Sequence, residues 1–160
     1  MKVSRSRNAS PGCYPRLLGR PLVVVATAED SFAVRLRDTL HPEDYVLIRA
    51  CSRAEILEAV ERAGTSVVIL DHDLREVDWR GLVTVLGEAQ CSPALVLASR
   101  LANERLWAEV LNLGAFDLIP WPFEEGEVVR VVDAAVRESR RNARAHWHRT
   151  APEFSARASA

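Results

Sequence analysis

Five short apolar runs, each followed by a segment with helical spacing, constrain the fold more than any other feature of the sequence. The runs are LVVVA (22–26), YVLIRA (45–50), VVILD (67–71), ALVLA (94–98) and FDLIP (116–120). All five are predicted strands; the first suits a strand that is buried on both faces, and the third is the most strongly buried. Strands that alternate with helices require right-handed crossovers, which produce a parallel sheet covered by helices on both sides. The sequence therefore predicts a doubly wound, five-stranded α/β sandwich of three layers.

Local signals mark the ends of the predicted helices. Asp30 or Ser31 is placed to cap the first helix. Ser52 and Glu55 form an S-x-x-E capping box at the start of the second helix, and Gly64 is placed to stop it. These signals support the alternation of strands and helices.

Length and charge predict a single domain with two basic ends. The chain has 160 residues, enough for one domain of ordinary size. Residues 1–20 carry five Lys or Arg and no acid, residues 21–136 carry ten Arg and twenty Asp or Glu, and residues 137–160 carry six Arg and two Glu. We expect a flexible segment at 1–20, a domain at 21–141 and a basic, disordered tail at 142–160.

The same composition narrows the class of protein. Cys13, Cys51 and Cys91 are far apart and lack zinc-ligand spacing, which favours a reduced, cytoplasmic setting. No run approaches the length of a membrane span, and the basic start lacks the apolar centre of a signal peptide. We expect no membrane association. Nucleic acid is not the expected partner either, although the basic ends leave docking of RNA, DNA or an acidic partner open.

Four loops should meet at the carboxyl ends of the strands, where open α/β sheets bind their ligands. They are ATAED (26–30), DHD (71–73), ASR (98–100) and WPF (121–123). No histidine is placed for a catalytic triad, since His72 follows Asp71 and adjacent strand residues point to opposite faces. His146, Trp147 and His148 lie in an Arg-rich stretch without further ligands at metal-binding spacing, so we interpret them as part of the solvated tail.

Two stretches carry a resemblance to a known family. LNLGAFDLIPWPF (111–123) and VVILDHDLREVDWRGL (67–82) resemble the receiver domain of two-component response regulators, a CheY-like, flavodoxin-like fold. The resemblance covers about residues 21–141. It implies that Asp71 stands where the family keeps its phosphate-accepting aspartate and that Asp78 matches a later aspartate of the family. It also implies a Mg²⁺ ion held by an acid pair after the first strand, a lysine after the fifth strand and a hydroxyl after the fourth.

The sequence departs from that pattern at nearly every site position. Depending on the alignment, the acid pair falls on Ala26 and Thr27 or on Thr27 and Ala28, with Glu29 following directly. The remaining family positions are Ala98 for the hydroxyl, Leu118 for the switch aromatic and Trp121 for the lysine, followed by Pro122, which preserves the turn. The resemblance thus implies a degenerate receiver, a pseudo-receiver that keeps the shape without the switch chemistry.

Several residues have both a functional and a structural interpretation. Asp71 is either a residual phosphate acceptor or a strand-end cap of loop amides, and we favour the cap. Trp121 either contacts a partner or fills the space left by phosphate and metal, and we favour filling, with the ring over the crevice near Asp71 and a cis bond to Pro122. Glu29, Asp71 and Asp73 are weak candidates for an adventitious cation, so we expect no resident metal or other cofactor.

We therefore expect a stand-alone pseudo-receiver that is not an enzyme and acts through protein–protein contacts in phosphorelay signalling. The alternative is an atypical response regulator that a histidine kinase phosphorylates on Asp71 with Mg²⁺. A third hypothesis, a flavodoxin-like cofactor binder, lacks a Gly-rich phosphate loop. The resemblance implies contact with a histidine kinase or output regulator, or a homodimer, through the fourth helix, fifth strand and fifth helix, where the candidates are Trp107, Leu111, Val129 and Arg130.

Overall fold

The computed structural model describes residues 19–150 and contains one parallel sheet of five strands. The strands are β1 (Leu22–Ala26), β2 (Val46–Ala50), β3 (Val67–Asp71), β4 (Ala94–Ser99) and β5 (Asp117–Pro120), in the spatial order β2-β1-β3-β4-β5. Every neighbouring pair is parallel, with Asp71 opposite Ala98 in the β3–β4 register. The predicted fold class is confirmed, and the strand ends differ from the predicted ones by no more than one residue.

Five helices cover the two faces of the sheet and complete the three layers. They are α1 (Asp30–Thr39), α2 (Arg53–Ala63), α3 (Trp79–Glu88), α4 (Glu104–Asn112) and α5 (Glu125–Thr150). One core cluster joins the sheet to α1 and α5, and the other joins it to α2, α3 and α4. Alternation along β3 sends Val67 and Ile69 into the first cluster and Val68 and Leu70 into the second. The faces to which side chains at the strand ends point are fixed by this alternation.

The start of α1 differs from the prediction, whereas α2 follows it. The N-cap of α1 is Glu29 without a side-chain cap, so the expected cap at Asp30 or Ser31 is wrong. Asp30 instead pairs with Arg49 at 2.5 Å. In α2 the Ser52 side chain accepts a hydrogen bond from the backbone N–H of Glu55, and Gly64 ends the helix in the left-handed conformation at φ 67°.

The last helix is longer than the sequence suggested. α5 continues to Thr150, so residues 142–150, which we expected in a disordered tail, are helical, while the domain bounds 21–141 stay a prediction. Arginine is a good helix former, which favours the extension, and the Ser139 hydroxyl ties the preceding turn to the carbonyl of Cys91 at 3.3 Å. Most of the expected segment 1–20, together with residues 151–160, lies outside the described residues. None of the helices in 19–150 has the length and hydropathy needed to cross a membrane.

Candidate functional site

Asp71 lies at the carboxyl end of the sheet with both carboxylate oxygens engaged by the protein. Its side chain is buried, and Oδ2 accepts a hydrogen bond from the Thr27 hydroxyl at 2.6 Å. Oδ1 accepts the backbone N–H of Asp73 at 3.0 Å. Thr27, itself fully buried, accepts the N–H of Glu29 at 3.0 Å. A chain of hydrogen bonds therefore links the loops after β1 and β3 through Asp71, and it includes the loop-amide bond that the structural interpretation of Asp71 requires.

Arg100, in the loop after β4, supplies the positive charge of this crevice. Its Nη2 donates to Glu29 Oε2 at 2.6 Å, and its Nε lies 3.5 Å from Asp73 Oδ2. The Ser31 hydroxyl and the Arg100 guanidinium both bond Glu29 and hold the pKa of that carboxyl below its ordinary value. The bond to Glu29, with the nearby charges of Asp73 and Asp71, raises the pKa of Arg100. One guanidinium thus joins acids from two loops.

The sequence analysis gave Arg100 no role, although it placed the ASR stretch in the crevice. The available signal was a cation directly after β4, at the same edge of the sheet as the acids that follow β1 and end β3. Because an arginine side chain spans several ångströms and adopts many rotamers, that signal indicates a counter-charge without saying which acid it reaches.

Trp121 packs into the fold instead of projecting into solvent. Its ring centroid lies 5.0 Å from that of Phe32 and 4.9 Å from that of Phe123, and the Arg100 guanidinium lies 5.7 Å from the ring centroid. The backbone N–H of Trp121 donates to the carbonyl of Ser99 at 2.9 Å, and the bond to Pro122 is cis. The indole Nε1 is buried without a hydrogen-bond partner among residues 19–150. The indole is therefore an apolar packing element beside the acidic crevice.

The positions expected to carry the family's hydroxyl and switch aromatic are apolar and buried. Ala98 lies opposite Asp71 in the sheet, and Leu118 belongs to the core cluster under α2, α3 and α4. Ser99 points away from Asp71, as expected: its hydroxyl contacts His72 Nδ1 at 2.9 Å and accepts the N–H of Leu101 at 3.0 Å. The hydroxyl beside Asp71 thus comes from Thr27 on the β1 side. Ala28, which follows it, is exposed.

The residues of the crevice do not fit a Mg²⁺ ion of the kind that the receiver fold implies. Both oxygens of Asp71 already accept protein hydrogen bonds, while Glu29 and Asp73 pair with Arg100. No group of three or more His, Cys, Asp or Glu side chains within residues 19–150 is arranged to hold a metal. Asp78 caps α3 by accepting the N–H groups of Arg80 and Gly81, so it is committed to the helix.

The four residues expected at a partner surface are divided between two places. On α4, Trp107 has 48% of its surface exposed, and its indole N–H donates to Asp117 Oδ1 at 3.0 Å. Leu111 is a partly buried residue of the same helix. Val129 and Arg130 instead line a groove of about 520 Å³ that α5 forms with Thr39 and His41, at the end of α1. The α4 pair and the α5 pair therefore border different neighbours.

Comparison with known proteins identifies the fold. No family model matches the sequence, and no curated protein matches it. Among solved structures, the signal receiver domain of a protein described as a LuxO repressor from Vibrio parahaemolyticus has a TM-score of 0.69 at 16% identity, over 79% of this chain and 97% of that one. The signal receiver domain of an HD domain-containing protein from Pseudomonas fluorescens Pf-5 has a TM-score of 0.66 at 20% identity, over 76% and 98%. The receiver domain of the Francisella response regulator 1452 has a TM-score of 0.65 at 19% identity, over 75% and 99%. The chain has the flavodoxin-like receiver fold.

Proposed function

We propose that this chain is a pseudo-receiver: a receiver-like module of two-component signalling that acts by protein contact, without phosphorylation, enzymatic activity or a cofactor, in the cytoplasm. The observation that carries the proposal is the charge arrangement of the crevice. Arg100 is paired with Glu29 and Asp73, and Asp71 is held by Thr27 and a loop amide. All three carboxylates are thus bonded within the protein, and the single guanidinium is shared by two of them.

Phosphoryl transfer to an aspartate requires counter-charges that this crevice does not hold in reserve. A phosphoryl group carries about 1.5 to 2 negative charges at neutral pH, and on an aspartate it takes the place of the single charge of the carboxylate. The family's lysine position is Trp121, whose indole packs on Phe32 and Phe123. Loss of one preorganised electrostatic partner commonly slows a reaction on the order of 100-fold or more. With the lysine, the acid pair and the β4 hydroxyl all replaced, phosphorylation of Asp71 should be negligible.

The α4 surface is the part of the expected contact face that supports partner binding best. Trp107 is half exposed, and its bond to Asp117 fixes the orientation of the ring. An exposed tryptophan held in one rotamer suits a binding hot spot, because little side-chain entropy is lost on association. The partner would be a signalling protein such as a histidine kinase or an output regulator, or a second copy of this chain.

A second candidate function is an atypical response regulator that is phosphorylated on Asp71. The observation in its favour is that the Arg100 side chain is 48% exposed and joined to two exposed acids. A guanidinium could leave Glu29 and pair with phosphoryl oxygens, since arginine binds phosphate in a bidentate geometry. In that case Mg²⁺ would also be needed.

Intact-mass measurement after incubation of the full chain with Mg²⁺ and acetyl phosphate tests the proposal. We expect no adduct with the mass of one phosphoryl group and no binding of beryllofluoride. An adduct that forms on the wild-type chain and is absent from the Asp71→Asn variant would establish the second candidate instead.

A restoration variant serves as the positive control for this experiment. It combines Thr27→Asp, Ala28→Asp and Trp121→Lys, which rebuild the acid pair and the lysine. We expect this variant to bind Mg²⁺ more tightly than the wild type, as measured by titration calorimetry. Unchanged Mg²⁺ affinity in a folded variant would contradict the account of which residues were lost.

A further inference from the structure

The C-terminal half of α5 carries an arginine-rich surface that the proposed signalling role does not use. Between residues 137 and 149 the exposed cations are Arg137, Arg140, Arg141, Arg144 and Arg149. Glu138 is the only acid in that span, and it pairs with Arg141. Arg137, Arg140, Arg141 and Arg144 line a depression of about 410 Å³ with Phe116 and Ala134. We call these four arginines, with Trp147, the α5 basic surface.

The central arginines of the α5 basic surface are not neutralised by the protein. Within residues 19–150, neither Arg140 nor Arg144 makes a hydrogen bond or an ion pair. Glu138 is bonded to Arg141, and the next acid toward the start of the helix, Asp133, accepts the hydroxyl of Tyr45. In the body of the domain, Arg49, Arg80 and Arg100 each pair with an acid. Because clustered cations repel one another, an uncompensated group of arginines is suited to an external anion.

The spacing along the helix places cations and an aromatic ring in one column. Arg140, Arg144 and Trp147 are at positions i, i+4 and i+7, which share a helix face. A rise of about 1.5 Å per residue makes the column from Arg137 to Trp147 about 15 Å long. Trp147 has 55% of its surface exposed. Guanidinium groups bind phosphate bidentately, and an exposed indole offers a stacking face for a base.

The acidic body of the domain opposes an anionic ligand only weakly at this distance. Arg144 follows Asp133 by eleven positions in the sequence, which corresponds to about 16 Å along the helix axis. The screening length at physiological ionic strength is about 8 Å. The far part of the helix therefore presents its own positive charge to the solvent.

We infer that the α5 basic surface binds single-stranded nucleic acid, with the arginines on successive phosphates and Trp147 stacked on a base. The sequence analysis did not expect nucleic acid as a partner, because residues 142–160 were predicted to be a disordered tail. The helix replaces that expectation for residues 142–150 and fixes the order of cations and indole. An acidic protein would satisfy the arginines, whereas a single strand offers both phosphates for the arginines and a planar base for the indole. The inference is independent of the chemistry at Asp71.

Fluorescence anisotropy of a labelled single-stranded oligonucleotide, titrated with the full-length chain at several salt concentrations, tests this inference. The double variant Arg140→Glu with Arg144→Glu should bind at least about tenfold more weakly. Each lost phosphate contact should reduce the slope of log K against log salt by about 0.7. The matched control, Arg75→Glu with Arg105→Glu, makes the same change in net charge at two exposed arginines elsewhere, and it should keep most of the wild-type affinity.

A second comparison tests the role of the indole. Trp147→Ala should weaken binding about tenfold and Trp147→Phe much less, since stacking on one base contributes about 1 to 3 kcal/mol. Circular dichroism of each variant checks that α5 is retained. The inference is overturned if the two double variants bind alike, if a duplex of the same sequence or poly-glutamate binds as tightly as the single strand, or if Trp147→Ala has no effect.

Discussion

Arginine is used in two opposite ways at the two ends of this molecule. At the carboxyl ends of the strands, Arg100 bonds Glu29 and lies beside Asp73 and Trp121. At the other end, α5 passes the residues that precede β4, and the Ser139 hydroxyl is bonded to one of them. Arg144, farther along the helix, has no partner within residues 19–150. The charged side chains of the crevice are bonded within the protein, whereas the α5 basic surface includes arginines without a partner in residues 19–150.

The difference separates a lost site from an available one. In the crevice, the carboxylates of Glu29, Asp71 and Asp73 are bonded to an arginine, a threonine and a backbone amide. A ligand would have to displace these bonds before it could bind. On α5, an anion could reach Arg140 and Arg144 without displacing an acid, because within residues 19–150 only Arg141 of the central arginines is paired, with Glu138. A surface therefore binds a charged ligand more readily where its own charged side chains are not already paired within the protein.

The largest expected effect is the difference in stability between two truncations, that of Trp121 in the crevice and that of Trp147 on α5. Trp121→Ala removes a ring packed on Phe32 and Phe123, so the free energy of unfolding should fall by about 3 kcal/mol. Trp147→Ala removes a half-exposed ring near the end of α5 and should change it by no more than about 0.5 kcal/mol. Urea unfolding followed by circular dichroism measures both.

Trp121→Phe separates the stability gained by packing of the ring from the cost of burying an unpartnered indole N–H. Phenylalanine keeps most of the apolar contact and deletes the buried, unpartnered Nε1–H of the indole. We expect the variant to be much closer to the wild type than Trp121→Ala. Equal stability of Trp121→Ala and the wild type would show that the ring does not support the fold, and the interpretation of Trp121 as a packing residue would be wrong.

The next largest effect is expected from a comparison of Asp71, at the centre of the crevice, with Glu138, on the arginine-rich part of α5. Asp71→Asn replaces a buried acceptor of two hydrogen bonds by an amide that can accept at only one of its two ends. We expect a loss of about 2 kcal/mol in the free energy of unfolding. Glu138→Gln removes a surface ion pair with Arg141 and should cost no more than about 0.5 kcal/mol. Thermal and urea unfolding of the two variants provide the test, and a larger loss for Glu138→Gln would reverse the comparison.

The fold was predictable because its signals are local and repeated. Each apolar run is long enough for one strand. The S-x-x-E box begins α2 and Gly64 ends it, as their backbone preferences require. The prediction was wrong at the ends of elements. Asp30 does not cap α1, since Arg49 on the neighbouring strand binds it, and that contact is not visible in local sequence. α5 continues past residue 141 through an arginine-rich stretch, and arginine favours helix.

The residues of the candidate site were predictable from the sequence, but the hydrogen bonds and ion pairs that join them were not. Sequence placed Asp71, Trp121 and Glu29 at one edge of the sheet, because all parallel strands end there. It did not predict that the Thr27 hydroxyl would bond Asp71, or that Arg100 would join Glu29 to Asp73. These bonds depend on rotamers of long or rotatable side chains from separate loops. The same limit applies to Val129 and Arg130, whose neighbours on α1 follow from the rotation of α5 about its axis.

The smallest effect is the most specific to the comparison, and it concerns the pKa of Glu29. Arg100→Gln removes one of the two groups that lower this pKa, while Ser31 retains its bond. We expect the Glu29 pKa to rise toward its ordinary value of 4.5. Arg144→Gln on α5 should leave it unchanged. Carbon-detected NMR titration of the glutamate carboxyl groups measures the shift in both variants.

The sign of the accompanying change in stability follows from proton linkage. A carboxyl whose pKa is lower in the folded state stabilises the fold above its unfolded pKa, and this contribution is lost as the pH falls through the folded value. Wild type and Arg100→Gln should therefore differ most at neutral pH and converge under acid conditions below the lowered pKa of Glu29. Salt should narrow the difference at neutral pH, because the pair is partly exposed. A difference between the two proteins that stays constant from neutral to acid pH would mean that Arg100 acts through its contact with Trp121 and not through its charge.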